Sequence, residues 1–235
     1  MSLVSHPFVV SLRGVTRRLG MNRALSKLFM SGRYEDRFGP ALRAQIRQGD
    51  TVWDVGANVW LYTAEFLSTV GASGRVAAFE PAPSCFERLR DRFDGNGQVR
   101  LLNVALGDKD GEVAMLLESD PLAATHRIGE SADGAPSVKV PVRSADSVAM
   151  DAPDWFPNVM KIDVEGHEGA VVDGMASMLD DPRLHCVGIE VHFGLLAQRQ
   201  EAGRPKAIEG VLRDHRFEVH WTDPSHVIAV RGSAA

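Results

Sequence analysis

The stretch Thr51–Thr63, TVWDVGANVWLYT, decides how the rest of the chain is read. Thr51, Val52, Trp53 and Val55 form a short apolar, β-branched and aromatic run, with Asp54 at its end and Gly56 after it, where the backbone must bend without a Cβ. From Leu61 the period changes, and Leu61, Ala64, Phe66, Leu67 and Val70 suit one face of a helix. The turn Asp54 to Asn58 therefore lies where a strand hands over to a helix N-terminus, the position at which α/β sheets bind ligands. A second strand, Arg75 to Phe79, runs into Glu80 and Pro81. It ends in an acid roughly 20 residues beyond the first glycine, the spacing at which a carboxylate can accept both hydroxyls of a ribose.

Working outward, Pro83 to Phe93 has helical spacing and Val99 to Leu106 reads as a third apolar strand. Alternating strands and helices predict a doubly wound parallel sheet. Val113 to Leu117 and Val138 to Val142 read as an antiparallel pair. The Gly, Ser, Asp and Pro-rich stretch 118–136 between them is long enough to expect a lid or substrate-facing loop, in which His126 and Arg127 could meet substrate. Asn158 to Val164 is a fourth strand, delivering Asp163, Glu165, His167 and Glu168 around Gly166. A helix from Gly169 to Leu179, a fifth strand from Leu184 to Val191 ending at Glu190 and His192, and a helix from Ile208 to His215 follow. Phe217 to Trp221 and Val227 to Val230, joined by TDPS, close the sheet as an antiparallel pair.

Upstream, residues 8–48 carry nine Arg and Lys against Glu35 and Asp36, interleaved with apolar residues at helical spacing. One or two amphipathic helices are expected there, so residues 1–48 read as a helical cap and 49–235 as the main domain. An apolar face on this cap could serve as a homodimer contact.

At 235 residues and 44% hydrophobic, the chain can fill one sizeable core. A net charge of −5 argues against nucleic acid as a partner. Cys85 and Cys186 read as buried free thiols of a reducing compartment, which points to the cytoplasm. No stretch approaches the roughly 20 apolar residues of a membrane span.

The ordered motifs DVGAN (54–58), FEP (79–81), the asparagine-containing strand running into ALGD (105–108), KIDVEGHE (161–168) and IEVH (189–192) resemble the FkbM family of S-adenosylmethionine-dependent methyltransferases. GRYE, from Gly32 to Glu35, resembles that family's entry segment. The resemblance implies a class I, Rossmann-like α/β fold with a seven-stranded, mostly parallel sheet and one reversed strand. It also implies methylation of a hydroxyl on a saccharide or a polyketide-like or lipid-linked metabolite. Carried over by position, Asp54, Gly56 and Asn58 would line the methionine half of the cofactor and Glu80 would hold the ribose, with Asn103 and Ala105 near the adenine and Asp108 just beyond. One departure is Trp60, where the family's turn places glycine. Either its ring turns away into the core or the cofactor site is impaired, which would leave a non-catalytic module.

Methyl transfer to an alcohol needs alignment and a group to take the hydroxyl proton. The ends of strands four and five offer His167, Asp163, Glu190 and His192, with His167 as the first candidate base. Asp163 and Glu190, with His192 near, could alternatively hold Mg²⁺ to activate the hydroxyl. A nicotinamide oxidoreductase fits poorly, because the turn lacks G-x-G-x-x-G and Tyr34 and Tyr62 are the only tyrosines, neither in a Tyr-x-x-x-Lys pair.

Overall fold

In a computed structural model, residues 37–116, 127–128 and 137–232 are described. Most of the expected N-terminal helical cap, GRYE and His126 lie outside the described residues. The elements in chain order are α1 (Phe38–Arg43), β1 (Thr51–Val55), α2 (Leu61–Val70), β2 (Arg75–Phe79), α3 (Pro83–Phe93), β3 (Val99–Leu102), β4 (Ala105–Gly107), β5 (Gly111–Leu116), β6 (Arg127–Ile128) and β7 (Ser137–Ser144). They continue with α4 (Ala145–Asp151), β8 (Val159–Ile162), α5 (Glu168–Asp173), β9 (Cys186–Glu190), α6 (Phe193–Gln198), α7 (Arg204–Asp214), β10 (Phe217–Trp221) and β11 (His226–Arg231).

Seven strands form one sheet in the order β10-β11-β9-β8-β1-β2-β3. All neighbours pair in parallel except β11, which runs antiparallel to both β9 and β10. The central strands are buried on both sides, as parallel strands covered by crossover helices must be. Because side chains alternate, Trp53, Val55, Phe79, Met160, Ile162 and Ile189 fill one face beneath α5 and α7. Val52, Val76, Val159 and Ile228 fill the other against Phe38 and Leu42 of α1 and Phe66 and Val70 of α2.

Two expected elements differ from what is observed. The third strand is two strands in two sheets, because Asn103 leaves the ladder and its amide donates to the carbonyls of Glu80 and Pro81. β4 then joins β7, β5 and β6 in a four-stranded sheet, in which the expected β5–β7 hairpin pairs Val113 with Val140. The helix expected from Gly169 to Leu179 stops at Asp173, and Met178–Asp180 forms a separate 3₁₀ turn. Gly174 lies so close to β4 that a Cβ there would sit 1.9 Å from the Gly107 carbonyl oxygen. Among the described residues, no helix is long and apolar enough to cross a membrane.

Candidate active site

A cavity of about 260 Å³ opens at the carboxyl ends of β1, β2, β8 and β9, where the topology predicts a ligand. One side is formed by Gly56 and Asn58 after β1, by Glu80 and Pro81 after β2, by Cys85 of α3, and by Ala105 and Leu106 of β4. The other carries Asp163 and Glu165 after β8, and Glu190 and His192 after β9.

The turn after β1 is built to bring two strand ends together. Gly56 has φ +79, and a Cβ there would lie 1.9 Å from the Asp163 carbonyl oxygen, so only glycine fits. The amides of Gly56 and Ala57 both donate to the Phe79 carbonyl, and the Asn58 amide donates to Glu80 Oε2 at 2.8 Å. These three amides are therefore used by the protein itself. Glu80 Oε1 also accepts from the Ala82 amide. Burial nevertheless pushes the Glu80 carboxyl up to about 7, against those two bonds and the charge of Lys161.

Asp54 is fully buried and lies behind the cavity wall, not on it. It accepts from the Thr63 hydroxyl at 2.6 Å and pairs with Lys161, whose Nζ stands 3.3 Å from Asp54 Oδ1 and 3.3 Å from Asp163 Oδ2 and donates to the Gly56 carbonyl. Burial depresses the ammonium's pKa, but Asp163 and Asp54 outweigh it and hold the group above its ordinary value. Asp54, expected to line the methionine half of the cofactor, thus directs its carboxylate to Lys161 and Thr63, and Lys161 carried no expectation from the sequence.

On the opposite wall the loop after β8 carries two consecutive left-handed residues, Glu165 at φ +49 and Gly166 at φ +90. This fold-back lets Glu168 Oε1 accept from the Gly166 amide at 2.8 Å and meet His192 Nδ1 at 2.6 Å. His192 Nε2 then faces Glu165 at 3.5 Å and Asp163 and Glu190 at 3.8 Å each. Burial alone would lower the imidazole's pKa, but the Glu168 bond and the surrounding carboxylates push it up to about 9. Behind it, His226 bridges Glu190 at 3.4 Å and Asp223 at 2.8 Å, and its ring packs 4.5 Å from Phe38. His226 is likewise raised, the two carboxylates overriding its burial. Glu190 is lowered: burial would raise it, but His226 and His192 prevail.

Of the residues named from sequence, Gly56, Asn58, Glu80, Ala105, Asp163, Glu190 and His192 meet at this cavity. Asn103 and His167 are not on its wall; Asn103 braces the Glu80 loop, and His167 stands at the first position before α5, where its backbone carbonyl accepts from the Val171 amide and its side chain makes no capping bond. Trp60 is also off the wall. It takes the left-handed conformation, φ +87, that glycine would adopt freely, and its ring packs with Ala57, Ala78, Leu89 and Phe93 between α2 and α3. Cys85 and Met115 line the cavity although neither carried a motif; an apolar residue in a helix or hairpin gives no sign of which pocket it will meet. Asp163, Glu190 and His192 each place one ligand-type atom within 4.8 Å of the others, a donor set a divalent ion could accept once His192 lost its proton.

Comparison with known proteins gives the family and the fold. A hexuronic acid methyltransferase of Haloferax volcanii, AglP, is 34% identical over 157 residues, covering 66% of this chain. The match spans 61% of that relative's length, less than two thirds of it. The solved structure of a provisionally named rRNA-methylase from Clostridium thermocellum superposes with a TM-score of 0.53 over 84% of this chain and 94% of its own, at 12% identity, which is a likeness of fold. The fold is that of the class I methyltransferases. The methyltransferase FkbM domain model matches residues 54–219, and the chain belongs to the FkbM methyltransferase family.

Proposed function

We propose that this protein transfers a methyl group from S-adenosylmethionine to a hydroxyl of a saccharide. The observation that carries the reading is that Glu80 and the His192 cluster face one cavity at the carboxyl edge of the sheet. S-adenosylmethionine supplies an electrophilic methyl on a cationic sulfur. Glu80 is placed to accept ribose hydroxyls, which favours its ionised form over the neutral one that burial promotes. Asn58 and Ala105 shape the same side of the cavity. Asp163, Glu165 and Glu190 give the opposite side the negative charge that attracts a cation.

His192 serves as the base. Glu168 fixes the ring through Nδ1, leaving Nε2 toward the cavity to take the acceptor's proton as its oxygen gains the methyl. In the free protein this imidazole is protonated at neutral pH, but a cation bound beside it lowers its pKa and prepares it to accept a proton. The relative's named substrate, a hexuronic acid, offers both hydroxyls and a carboxylate. Three carboxylates around Nε2 favour a neutral hydroxyl at the reacting position over an anion. A polyketide-like or lipid-linked hydroxyl is the alternative acceptor. Trp60 packing away from the cavity supports a working pocket rather than a non-catalytic module.

The test is calorimetric titration of S-adenosylmethionine and S-adenosylhomocysteine, followed by transfer of labelled methyl to hexuronides. Binding of both ligands with an alkali-stable ether product supports the reading. An alkali-labile ester would move the acceptor to the carboxylate, and no binding would sink the assignment. A second reading, Mg²⁺ held by Asp163, Glu190 and His192, rests on their convergence, and loses if a chelator leaves turnover unchanged.

A further inference from the structure

Two large side chains stand exposed beside the reactive groups. Phe193, which directly follows His192, is 42% exposed, and Trp221, the last residue of β10, is 38% exposed. Their ring centroids are 5.8 Å apart with planes tilted by 33°. Trp221 Nε1 donates to Glu209 Oε1 at 2.9 Å, which fixes the indole while its ring stays accessible.

The sheet brings this pair to the cavity's edge. β10 and β9 both run antiparallel to β11, so they run parallel to each other and Trp221 ends at the same edge as Glu190. Trp221 is opposite Val227, and Val227 is opposite Ile189, so two strand spacings, about 10 Å, separate Trp221 from the end of β9. The pair flanks the His192 wall on the side away from Glu80, leaving the β1–β2 side to the cofactor.

We propose that Phe193 and Trp221 form a stacking platform for a sugar ring adjoining the one that is methylated, so that the acceptor is an oligosaccharide and not a free monosaccharide. The inference rests on the saccharide reading given above. A pyranose ring presents a face of C–H groups with partial positive charge, which an aromatic face attracts. The backbone of Trp221 stands about two ring widths from the end of β9, a spacing at which a ring reacting at His192 and a ring on the platform are neighbours.

The experiment compares a methyl hexuronide with a hexuronide disaccharide as acceptors for the full chain, for Phe193→Ala, for Trp221→Ala and for Trp221→Phe. The preference for the disaccharide, read as the ratio of the two kcat/KM values, falls about tenfold in each alanine variant and is largely restored in Trp221→Phe. An unchanged ratio, with both sugars methylated by the wild type, overturns the platform and leaves the saccharide reading standing. Failure of the wild type to methylate either sugar despite binding S-adenosylmethionine overturns both. A changed sedimentation coefficient with an unchanged ratio assigns the pair to a protein contact and overturns the platform as well. Should an alanine variant not fold, saturation-transfer NMR on the wild type decides: one ring of the disaccharide must receive saturation from the aromatic side chains, and its absence overturns the proposal.

Discussion

Replacing Lys161 by methionine keeps most of the side-chain volume and removes one charge. The ammonium is 3% exposed and 3.3 Å from each of two carboxylates, of which Asp54 has no exposure at all. At an effective dielectric constant of about 20, each contact is worth about 5 kcal/mol of Coulomb attraction before the cost of desolvating the charges. Breaking a buried pair while leaving its partner charged costs about 3–5 kcal/mol. For a chain of this length about 1 kcal/mol corresponds to roughly 2–4 °C, so Lys161→Met lowers Tm by about 6–20 °C. The assay is thermal melting followed by circular dichroism at pH 7, alone and with Asp54→Asn. The second change neutralises the stranded charge, keeps an acceptor for the Thr63 hydroxyl, and recovers more than half of the loss. A single-variant Tm within about 2 °C of wild type, or a double variant that loses the sum of the two single effects, would refute the reasoning.

Four further outcomes are expected. Gly56→Ala, which puts a methyl 1.9 Å from the Asp163 carbonyl oxygen at φ +79, costs on the order of 3 kcal/mol in urea unfolding. Glu80→Gln weakens S-adenosylmethionine binding about 10- to 100-fold by calorimetry. It also removes the tightening that wild type shows as pH rises through about 7 and Glu80 ionises. Because His192 is raised to about 9 from an ordinary 6.5, its stabilising contribution is complete below pH 6.5 and is lost as pH rises through about 9; urea midpoints show this decline in wild type and not in His192→Gln. In turnover, where His192 must be deprotonated to act as base, the acidic limb of kcat lies at lower pH than that of kcat/KM, since bound cation lowers the imidazole's pKa. Trp60→Gly changes cofactor affinity by no more than about twofold in the same titration, because the ring packs between helices and not on the cavity.

The sheet was legible because its strands are short apolar runs cut by glycine and acid, and each motif fell at a strand's carboxyl end. Asp163, Glu190 and His192 could be named from that rule alone. What failed depended on direction, not position. His167 and His192 are equally good candidates in a string of letters; only the left-handed turn at Glu165 and Gly166, which sends Glu168 to His192, separates them. Asp54 was placed correctly at the turn, but strand alternation decides that its carboxylate faces Thr63 and Lys161, away from the cavity. Lys161 itself reads as a lone charge in a strand, which sequence reasoning expects to be solvated; Asp163 lies two residues on, but the buried Asp54 and the Gly56 carbonyl that complete its surroundings are about a hundred residues away in sequence. The break at Asn103 escaped notice because an asparagine in an apolar run looks like a minor fault until its amide is seen holding two carbonyls.

The pairing of Lys161 with Asp54 also has a bearing on how the chain assembles. β8 joins β1 although about a hundred residues separate them, and in the native alignment these two residues stand directly opposite each other. Were β8 to slide by a single position, its side chains would exchange faces, and the ammonium would enter the layer now held by Met160 and Ile162, where the neighbours are hydrocarbon. The misaligned sheet would then carry two stranded charges, one on each side. An ion pair that adds little net stability over an apolar pair can therefore act as a proofreading contact, making the closest wrong alignment of the central strands far less stable than the right one.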